Sequence, residues 1–428
     1  MARKMKDSGI EWIGEIPEGW EITKIKHIVS SVTDIDHFMP DSAEFGIPYL
    51  MIGDLKDLSS SIDWDSSKKI SIEDYKKLSI KSRPQIGDII FARYASIGTT
   101  CYIDTDRDFL VSYACLTIHP SDLIIGKFLS YYLKSSSFAE DVLRRTNSNT
   151  QGNVGKDSLV NATIVLPSII EQTQIVNFLD AKCSDINAML SKTRASIEEY
   201  KKLKQAVITQ AVTKGVRGER EMKNSGVEWI GEIPKEWDIL NLVAHTSMLT
   251  PMRDRPENLD GPIPWIRIED FDGKYISSSK ASLGVSKETV RSMNLKIYPV
   301  GTILCTSSCI MGKCAIVSRE LVSNQRFIGI IPDQNTCENF LYYLMLSNSE
   351  RMNYLATGAL QANLSRSSFE HLKVQFPSYQ EQKEISDYLD TKCAEIDKLI
   401  AKKEQLVKEL ESYKKSLIYE VVTGKREV

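Results

Sequence analysis

Few groupings in this 428-residue chain have the spacing that covalent chemistry needs. Cys305, Cys309 and Cys314 approach a metal pattern, but a fourth ligand is missing and their spacing fits no standard zinc site, so they read as structural thiols. Asp54 with Lys56 and Glu73 with Lys76 pair carboxylate and lysine as a nuclease would, a pairing equally common in solvated loops. Gly312 and Lys313 stand too close together for a phosphate loop, and no Gly-rich turn follows a strand in the pattern of a cofactor site. The five histidines are scattered, so spacing brings together no Cys–His or Ser–His pair. The chain is read as non-catalytic by itself and without a metal. What remains is hydrogen-bonding chemistry: Arg93, Tyr94 and Ser96 in one half, Ser307 and Ser308 in the other, each set following a short β-branched run.

Those two sets belong to a duplication. Asp7 to Trp20 reads DSGIEWIGEIPEGW and Asn224 to Trp237 reads NSGVEWIGEIPKEW, so Trp12 and Trp229 stand 217 positions apart. Leu166 to Asp185 reads LPSIIEQTQIVNFLDAKCSD and Phe376 to Glu395 reads FPSYQEQKEISDYLDTKCAE, an offset of 210. Two similar modules in one chain predict a pseudo-twofold object, whose natural ligand has approximate twofold symmetry of its own: duplex DNA or a pair of identical subunits.

The second repeated segment opens a helix. Ile175, Leu179, Lys182, Ile186, Leu190, Thr193, Ile197, Tyr200, Lys204, Val207 and Ala211 alternate steps of four and three, the seam of a coiled coil. Ile385, Leu389, Lys392, Ile396, Ile400, Lys403, Val407, Leu410, Lys414, Leu417 and Val421 repeat it. Neither helix can bury its seam alone, and the matched lengths predict one antiparallel pair. The stretches from Trp20 to Pro167 and from Trp237 to Pro377 align by landmarks. GIPYLMIGDL matches PIPWIRIEDF, Gly87 and Gly98 match Gly301 and Gly312, FLSYYL matches FLYYLM, and TQGN matches LQAN. Runs such as Gly87–Phe91, Cys101–Ile103 and Leu116–Ile118 predict strands, with short helices near Phe128–Lys134 and Phe340–Leu346. The expected fold class is α+β. Residues 1–168 form one globule with a repeat linker at 5–20, and 169–214 the first long helix. Residues 215–378 form the second globule with its linker at 222–237, and 379–424 the second long helix. The C-terminal VVTGKREV followed by MARKMKDSG would nearly restate AVTKGVRGEREMKNSG, so the termini are expected near each other.

An apolar share of 42% and a charged share of 26% are those of an ordinary globular protein. No stretch has the roughly 18 consecutive apolar residues of a membrane span, and no apolar run follows the N-terminal lysines, so a cytoplasmic location with free thiols is expected. A net charge of −3 argues against gripping nucleic acid by bulk charge.

A globule, a long helix, a divergent globule and a second long helix, with LPSIIEQTQIVNFLD and FPSYQEQKEISDYLD opening the helices, resemble the specificity subunit of type I restriction–modification enzymes. The twin SGxEWIGEIP linkers and the IPYLMIGDL and IPWIRIEDF turns strengthen the resemblance. The second copy departs from it with Glu269 and Asp270 where the first has Gly53 and Asp54. The resemblance implies a target-recognition domain in each globule, each reading half of a bipartite asymmetric site in double-stranded DNA, and helices acting as a spacer. It implies two methyltransferase subunits as partners, with S-adenosylmethionine bound there and not here, motor-nuclease subunits joined through them, and no membrane. Asp-Pro-Pro-Tyr and Asn-Pro-Pro-Phe methyltransferase motifs are missing from this chain. A coiled-coil scaffold without sequence-specific DNA binding is the alternative, and a self-contained nuclease a second.

The duplication sorts candidate contacts. Residues alike in both globules suit fold or phosphate contact, because two half-sites differ in sequence: Gln151, Asn153 and Lys156 match Gln361, Asn363 and Arg366. Polar residues that differ suit base reading: Arg93, Tyr94 and Ser96 face Ser307, Ser308 and Ile310, and Asp36, His37 and Asp41 face Arg253, Asp254 and Arg255. Arginine can take guanine with two hydrogen bonds, which serine cannot match. Trp12 and Trp229, in the linkers, are expected to dock against a helix end or a partner. Glu171 and Gln172, with Glu381 and Gln382, are expected to cap the long helices and to meet partner subunits.

Overall fold

The computed structural model describes residues 3–94, 97–145, 153–251, 254–308, 312–356 and 364–428. It falls into two compact units, residues 1–194 with 405–428, and residues 195–404. The long helices are α1 (Ile169–Lys214) and α2 (Tyr379–Val422). Neither contains Pro or Gly inside those bounds, and each is closed by a glycine in the left-handed region, Gly215 at φ 76° and Gly424 at φ 73°. The units divide the helices along their length, so each unit holds a globule with part of α1 and part of α2.

Within each unit the helix segments run antiparallel. In the first, Arg194 meets Glu411 and Asn187 meets Lys414; in the second, Lys204 meets Asp397 at 2.7 Å and the Lys403 ammonium lies over the Tyr200 ring. The expected seam holds at Ile175, Leu179, Ile186, Leu190, Ile385, Leu389, Ile396, Leu417 and Val421, all buried. It is corrected at one place in each copy. Lys182 is exposed and Lys392 half-exposed, while Cys183 and Cys393, one position on, are buried. There the helix packs on its own globule as well as on the other helix, and the apolar stripe widens beyond a strict seam.

In the first unit four strands form an antiparallel sheet: β1 (Val29–Thr33), β2 (Ile89–Ala92), β3 (Thr100–Tyr102) and β4 (Cys115–Pro120), in the order β1-β4-β2-β3. Every residue of β2 is buried because side chains alternate between two cores. Ile89 and Phe91 pack with Phe128, Tyr132 and the helix residues Ile175 and Leu179; Ile90 packs with Leu50, Cys101 and Val111 on the other face. The second unit repeats this with β5 (Thr246–Leu249), β6 (Tyr275–Ile276), β7 (Ile303–Thr306), β8 (Cys314–Val317) and β9 (Phe327–Pro332), in the order β5-β9-β7-β8-β6. Here Ile303 and Cys305 join the helix-side core, and Leu304 the other. The edge strand β6 has only an isolated bridge, Leu58 to Tyr102, as its counterpart in the first unit.

The predicted strands correspond to β2, β3 and β4, and the short helices span Gly126–Leu133 and Glu338–Ser347. The matched glycines bracket β2 and β7 in left-handed turns, with φ 92° and 91° at Gly87 and Gly98, and 87° and 79° at Gly301 and Gly312. A Cβ on Gly312 would lie 2.3 Å from that of Ser349, so the turn packs where no side chain fits. In the first unit the Lys425 ammonium donates to the Glu15 carbonyl at 3.3 Å, so the C-terminal segment meets the N-terminal linker as expected. Among the described residues no helix is long and apolar enough to cross a membrane, and no group of three or more His, Cys, Asp or Glu is gathered to hold a metal ion.

Candidate nucleic-acid interface

Two strands deliver the expected base-reading residues. β2 runs out into Arg93, whose N–H donates to the Ala114 carbonyl at 2.9 Å and whose carbonyl accepts from the Val154 N–H at 3.0 Å. β7 runs out into Ser307, whose N–H donates to the Arg326 carbonyl at 2.8 Å and whose carbonyl accepts from the Leu364 N–H at 2.9 Å. Val154 and Leu364 are 210 residues apart, so Arg93 and Ser307 occupy one backbone frame, as the landmark alignment predicts. The same frame carries Asn153, half-buried, with its Oδ1 shielded and without a partner among the described residues. Lys156 and Arg366 each begin a short helix, Lys156–Val160 and Arg366–Glu370.

The side chains on this frame differ. The Arg93 guanidinium lies 3.0 Å from the Asp34 carboxylate through Nη1, and its side chain is only 12% exposed. Tyr94 beside it is 45% exposed. Ser307 is half-buried and Ser308 only 6% exposed. Lys156 and Arg255 are exposed. Arg366 is committed to Glu370 in its own helix at 2.7 Å, so it and Lys156 match in position but not in freedom. Ser96, Gln151, Arg253, Gln361 and Asn363 lie outside the described residues.

The residues assigned to partner contact form joints between globule and helix instead. Gln172 and Gln382 are buried. The Gln172 carbonyl accepts from the Ile125 N–H at 2.8 Å, and its amide donates to the Leu123 and Pro167 carbonyls at 3.2 and 2.9 Å. Gln382 does the same with Cys337, Asn335 and Pro377 at 2.7, 3.1 and 3.0 Å. Partner contact at these glutamines is therefore corrected: every polar group they carry is used inside the chain, tying the loop ahead of the globule's short helix to the start of the long one.

Glu171 and Ser168 form a reciprocal cap. The Ser168 N–H donates to Glu171 Oε2 at 3.2 Å and the Glu171 N–H to Ser168 Oγ at 3.4 Å. Glu171 Oε1 also accepts from Trp20 Nε1 at 3.0 Å and from Arg3, whose guanidinium lies 5.0 Å from the Trp20 ring centre. Glu381 accepts from Trp237 Nε1 at 3.0 Å and from Arg220 at 2.6 Å, with Arg220 lying 5.2 Å from the Trp237 ring centre. For Glu381, only 2% exposed in its side chain, partner contact is likewise corrected. Burial opposes ionisation of Glu171, but the hydrogen bonds from Trp20, Ser168 and Arg3 outweigh it and hold its carboxyl below the usual range. Neither arginine was singled out by sequence reasoning. The signal was there, since Arg3 and Arg220, like Trp20 and Trp237, stand 217 positions apart.

Trp12 and Trp229 dock against their own globules, the former half-buried with Arg144 at 4.7 Å from its ring centre, the latter beneath Arg351 at 3.9 Å. Each arginine lies on a short helix, Ser136–Arg145 or Ser349–Leu355.

Comparison with known proteins also finds one kind of domain twice in the chain. Residues 17–199 and 238–409 match the family described as the type I restriction modification DNA specificity domain, which covers most of the chain in two copies. The MjaX chain of Methanocaldococcus jannaschii is 27% identical over 426 residues, 96% of this chain and 95% of that one. The type I restriction enzyme MjaVIII specificity subunit of the same organism is 23% identical over 431 residues, 96% and 93% of the two chains. In fold, a chain solved in work on assembly and conformational transition of the type I R-M system has a TM-score of 0.73 at 14% identity, covering 96% of this chain and 99% of that one. The HsdS subunit of Thermoanaerobacter tengcongensis has a TM-score of 0.51 at 14% identity, covering 96% and 98%. The chain belongs to the type I restriction–modification specificity subunits: it carries two target-recognition domains and leaves catalysis to partner subunits.

Proposed function

We propose that each globule reads one half of a bipartite, asymmetric site in duplex DNA. The observation that carries this reading is the shared frame at Arg93 and Ser307: one backbone position presents an arginine fork in the first globule and a small hydroxyl in the second. An arginine pairs with guanine O6 and N7, while a serine accepts or donates one bond to several bases, so two half-sites of unlike sequence follow. Tyr94 extends the first surface and Arg255 the second, and Ser96 and Arg253 belong with them by sequence position; Asn153 falls in the class of residues alike in both globules, suited to phosphate contact. Lys156 supplies a phosphate contact to the first half-site; Gln151, Gln361 and Asn363 belong to the same class by their positions in the repeat.

In this reading the chain contributes discrimination, and two methyltransferase subunits, each with its own S-adenosylmethionine, supply both the transfer and much of the phosphate neutralisation that a chain of net charge −3 lacks. The twin linkers around Trp12 and Trp229 are the surface those identical subunits would meet twice, and motor-nuclease subunits would join through them. The complex would act on DNA in the cytoplasm. Sequencing the methylated sites in a host that carries this chain with its methyltransferase tests the proposal. The expected result is one motif of two dissimilar halves separated by unspecified bases. Methylation without any such motif would favour the assembly-scaffold alternative.

A further inference from the structure

We propose that Asp34 is a positioning residue that sets the base selectivity of Arg93, reserving its guanidinium for guanine and withholding it from phosphate. This rests on the reading of Arg93 as a base contact in the first half-site.

Arg93 is fixed from three sides. Its backbone N–H and carbonyl are both bonded, to Ala114 and Val154, so the Cα cannot shift along the strand. Its Nε is buried and without a partner among the described residues, and its side chain is 12% exposed, so only the tip of the guanidinium reaches the surface. At that tip Asp34 Oδ2 holds Nη1 at 3.0 Å. The carboxylate takes one direction of the fork and leaves Nη2 and the second Nη1 proton for a ligand. Two parallel donors are what guanine O6 and N7 accept. A carboxylate that locks the fork beforehand also lowers the conformational entropy lost on binding.

The pair also changes what the arginine can bind by charge. A lone guanidinium attracts phosphate at any sequence. Paired with Asp34, which is itself 35% exposed, the site is close to neutral, and the carboxylate repels a phosphate brought to the same place. An uncharged base edge pays no such penalty. Selectivity thus comes from a repulsive element as well as an attractive one.

The second globule supports this reading of the pair as a unit. Thr33 pairs with Thr117 between β1 and β4, and Leu249 pairs with Gly329 between β5 and β9, so Asp34 and Thr250 follow equivalent positions. Where the first globule has Asp34 with Arg93, the second has Thr250 with Ser307. Both members of the ion pair are replaced together by hydroxyls. A carboxylate serving the fold alone would have no reason to disappear with the arginine.

The test uses the reconstituted complex of this chain with its methyltransferase subunits. Methylation rates are measured on duplexes randomised at each position of the recognised site, and the salt dependence of binding on duplex lacking it. Arg93→Ala is expected to lose discrimination at one base pair of the first half-site by about 10-fold or more. Asp34→Asn is expected to lose about 3- to 10-fold at that same base pair and nowhere else, and to steepen the salt dependence of non-specific binding by about one unit of log–log slope as the freed arginine engages phosphate. The double variant should discriminate no worse than Arg93→Ala alone. If Arg93→Ala relaxes that base pair while Asp34→Asn leaves both readouts unchanged, or weakens every position equally, the role given to Asp34 is wrong and base reading by Arg93 stands. If Arg93→Ala itself leaves the profile intact, the underlying reading fails. A transfer into the second globule keeps the test decisive should Asp34→Asn not fold. Ser307→Arg with Thr250→Asp should create a guanine preference in the second half-site, whereas Ser307→Arg alone should tighten binding to all sequences. Equal behaviour of the two would overturn the proposal.

Discussion

Arg3, Trp20 and Glu171 in the first unit and Arg220, Trp237 and Glu381 in the second make the same residue-to-residue contacts, an arginine and an indole N–H both donating to one carboxylate, whereas Arg93 and Ser307 share a backbone and nothing beyond it. The joints fix where a globule sits on its helix, and any change there moves every residue the globule presents. Divergence at the reading end costs the fold little, because the frame is held by main-chain hydrogen bonds that tolerate any side chain. A duplicated chain can therefore acquire two unlike recognition surfaces on one conserved scaffold, provided the joints do not drift.

The largest effect expected from breaking this contrast is at the second joint. Glu381 has a side chain 2% exposed and neutralises Arg220 while accepting from Trp237, so Glu381→Ala leaves a buried indole N–H unpaired and a nearly buried guanidinium with only Glu236 and the Lys214 carbonyl as partners. A destabilisation of about 3 kcal/mol is expected, the lower end for breaking a buried pair, because Glu236 still faces the guanidinium. Glu171→Ala should cost less, because that side chain is 30% exposed and water can take over its partners. Thermal melting of the two variants measures the difference; equal losses would show that burial does not distinguish the joints.

Next in size is the glutamine tie. Gln382→Ala removes the acceptor of the Cys337 N–H and the donor to two carbonyls, in a place with no exposure, and about 1–3 kcal/mol is expected for groups left unsatisfied there. Gln172→Ala should match it closely, since the distances agree to within 0.1 Å at all three bonds. Melting curves that separate these two variants widely would show that the joints are less alike than their geometry. At the reading end the expectation reverses. Arg93→Ala should weaken discrimination in one half-site by about 1–3 kcal/mol, and Ser307→Ala in the other by less than about 1 kcal/mol, the latter with unchanged melting. Base-by-base methylation rates would detect the asymmetry, and equal losses in both halves would remove it.

The parts of this structure legible in the sequence are those fixed by neighbours in sequence or by repetition. The helix starts at Ile169 and Tyr379 follow from a proline, a serine and a glutamate at fixed spacing, and the seam from its period. Lys182 and Lys392 were misplaced in the seam because a heptad count assumes one neighbouring helix, while Cys183 and Cys393 also face a globule. The Arg366–Glu370 pair is an i,i+4 spacing within one helix and was legible once that helix was placed, whereas the burial of Ser308 depends on which turn of the chain lies alongside, which no local spacing encodes. Asp34 escaped notice for the same reason: 59 residues separate it from Arg93, and only the β1–β4–β2 sheet order brings them together. The glutamines at 172 and 382 were legible as a repeat but ambiguous in meaning, because repetition marks what must be kept without saying whether a partner or the fold requires it.

The smallest expected effect is acid sensitivity at the first joint. Glu171 is held below its ordinary pKa in the folded chain by Trp20, Ser168 and Arg3, against the opposing influence of burial. A carboxyl with a depressed folded value contributes stability that is complete above its unfolded pKa of about 4.3 and is lost as pH falls through the folded value. Melting temperature should therefore begin to fall below about pH 5, and Glu171→Gln, which cannot titrate, should show a shallower fall than the parent chain. The contribution is modest because the side chain is partly in water. Protonation would also weaken the attraction of Arg3, letting it leave the Trp20 ring and loosening the first joint. Tryptophan fluorescence followed through an acid titration, with a Trp20→Phe variant to identify the signal of that ring, would follow the loosening. An unchanged Trp20 signal through the titration, or a steeper acid dependence in Glu171→Gln, would show that these hydrogen bonds do not govern the ionisation of the first joint.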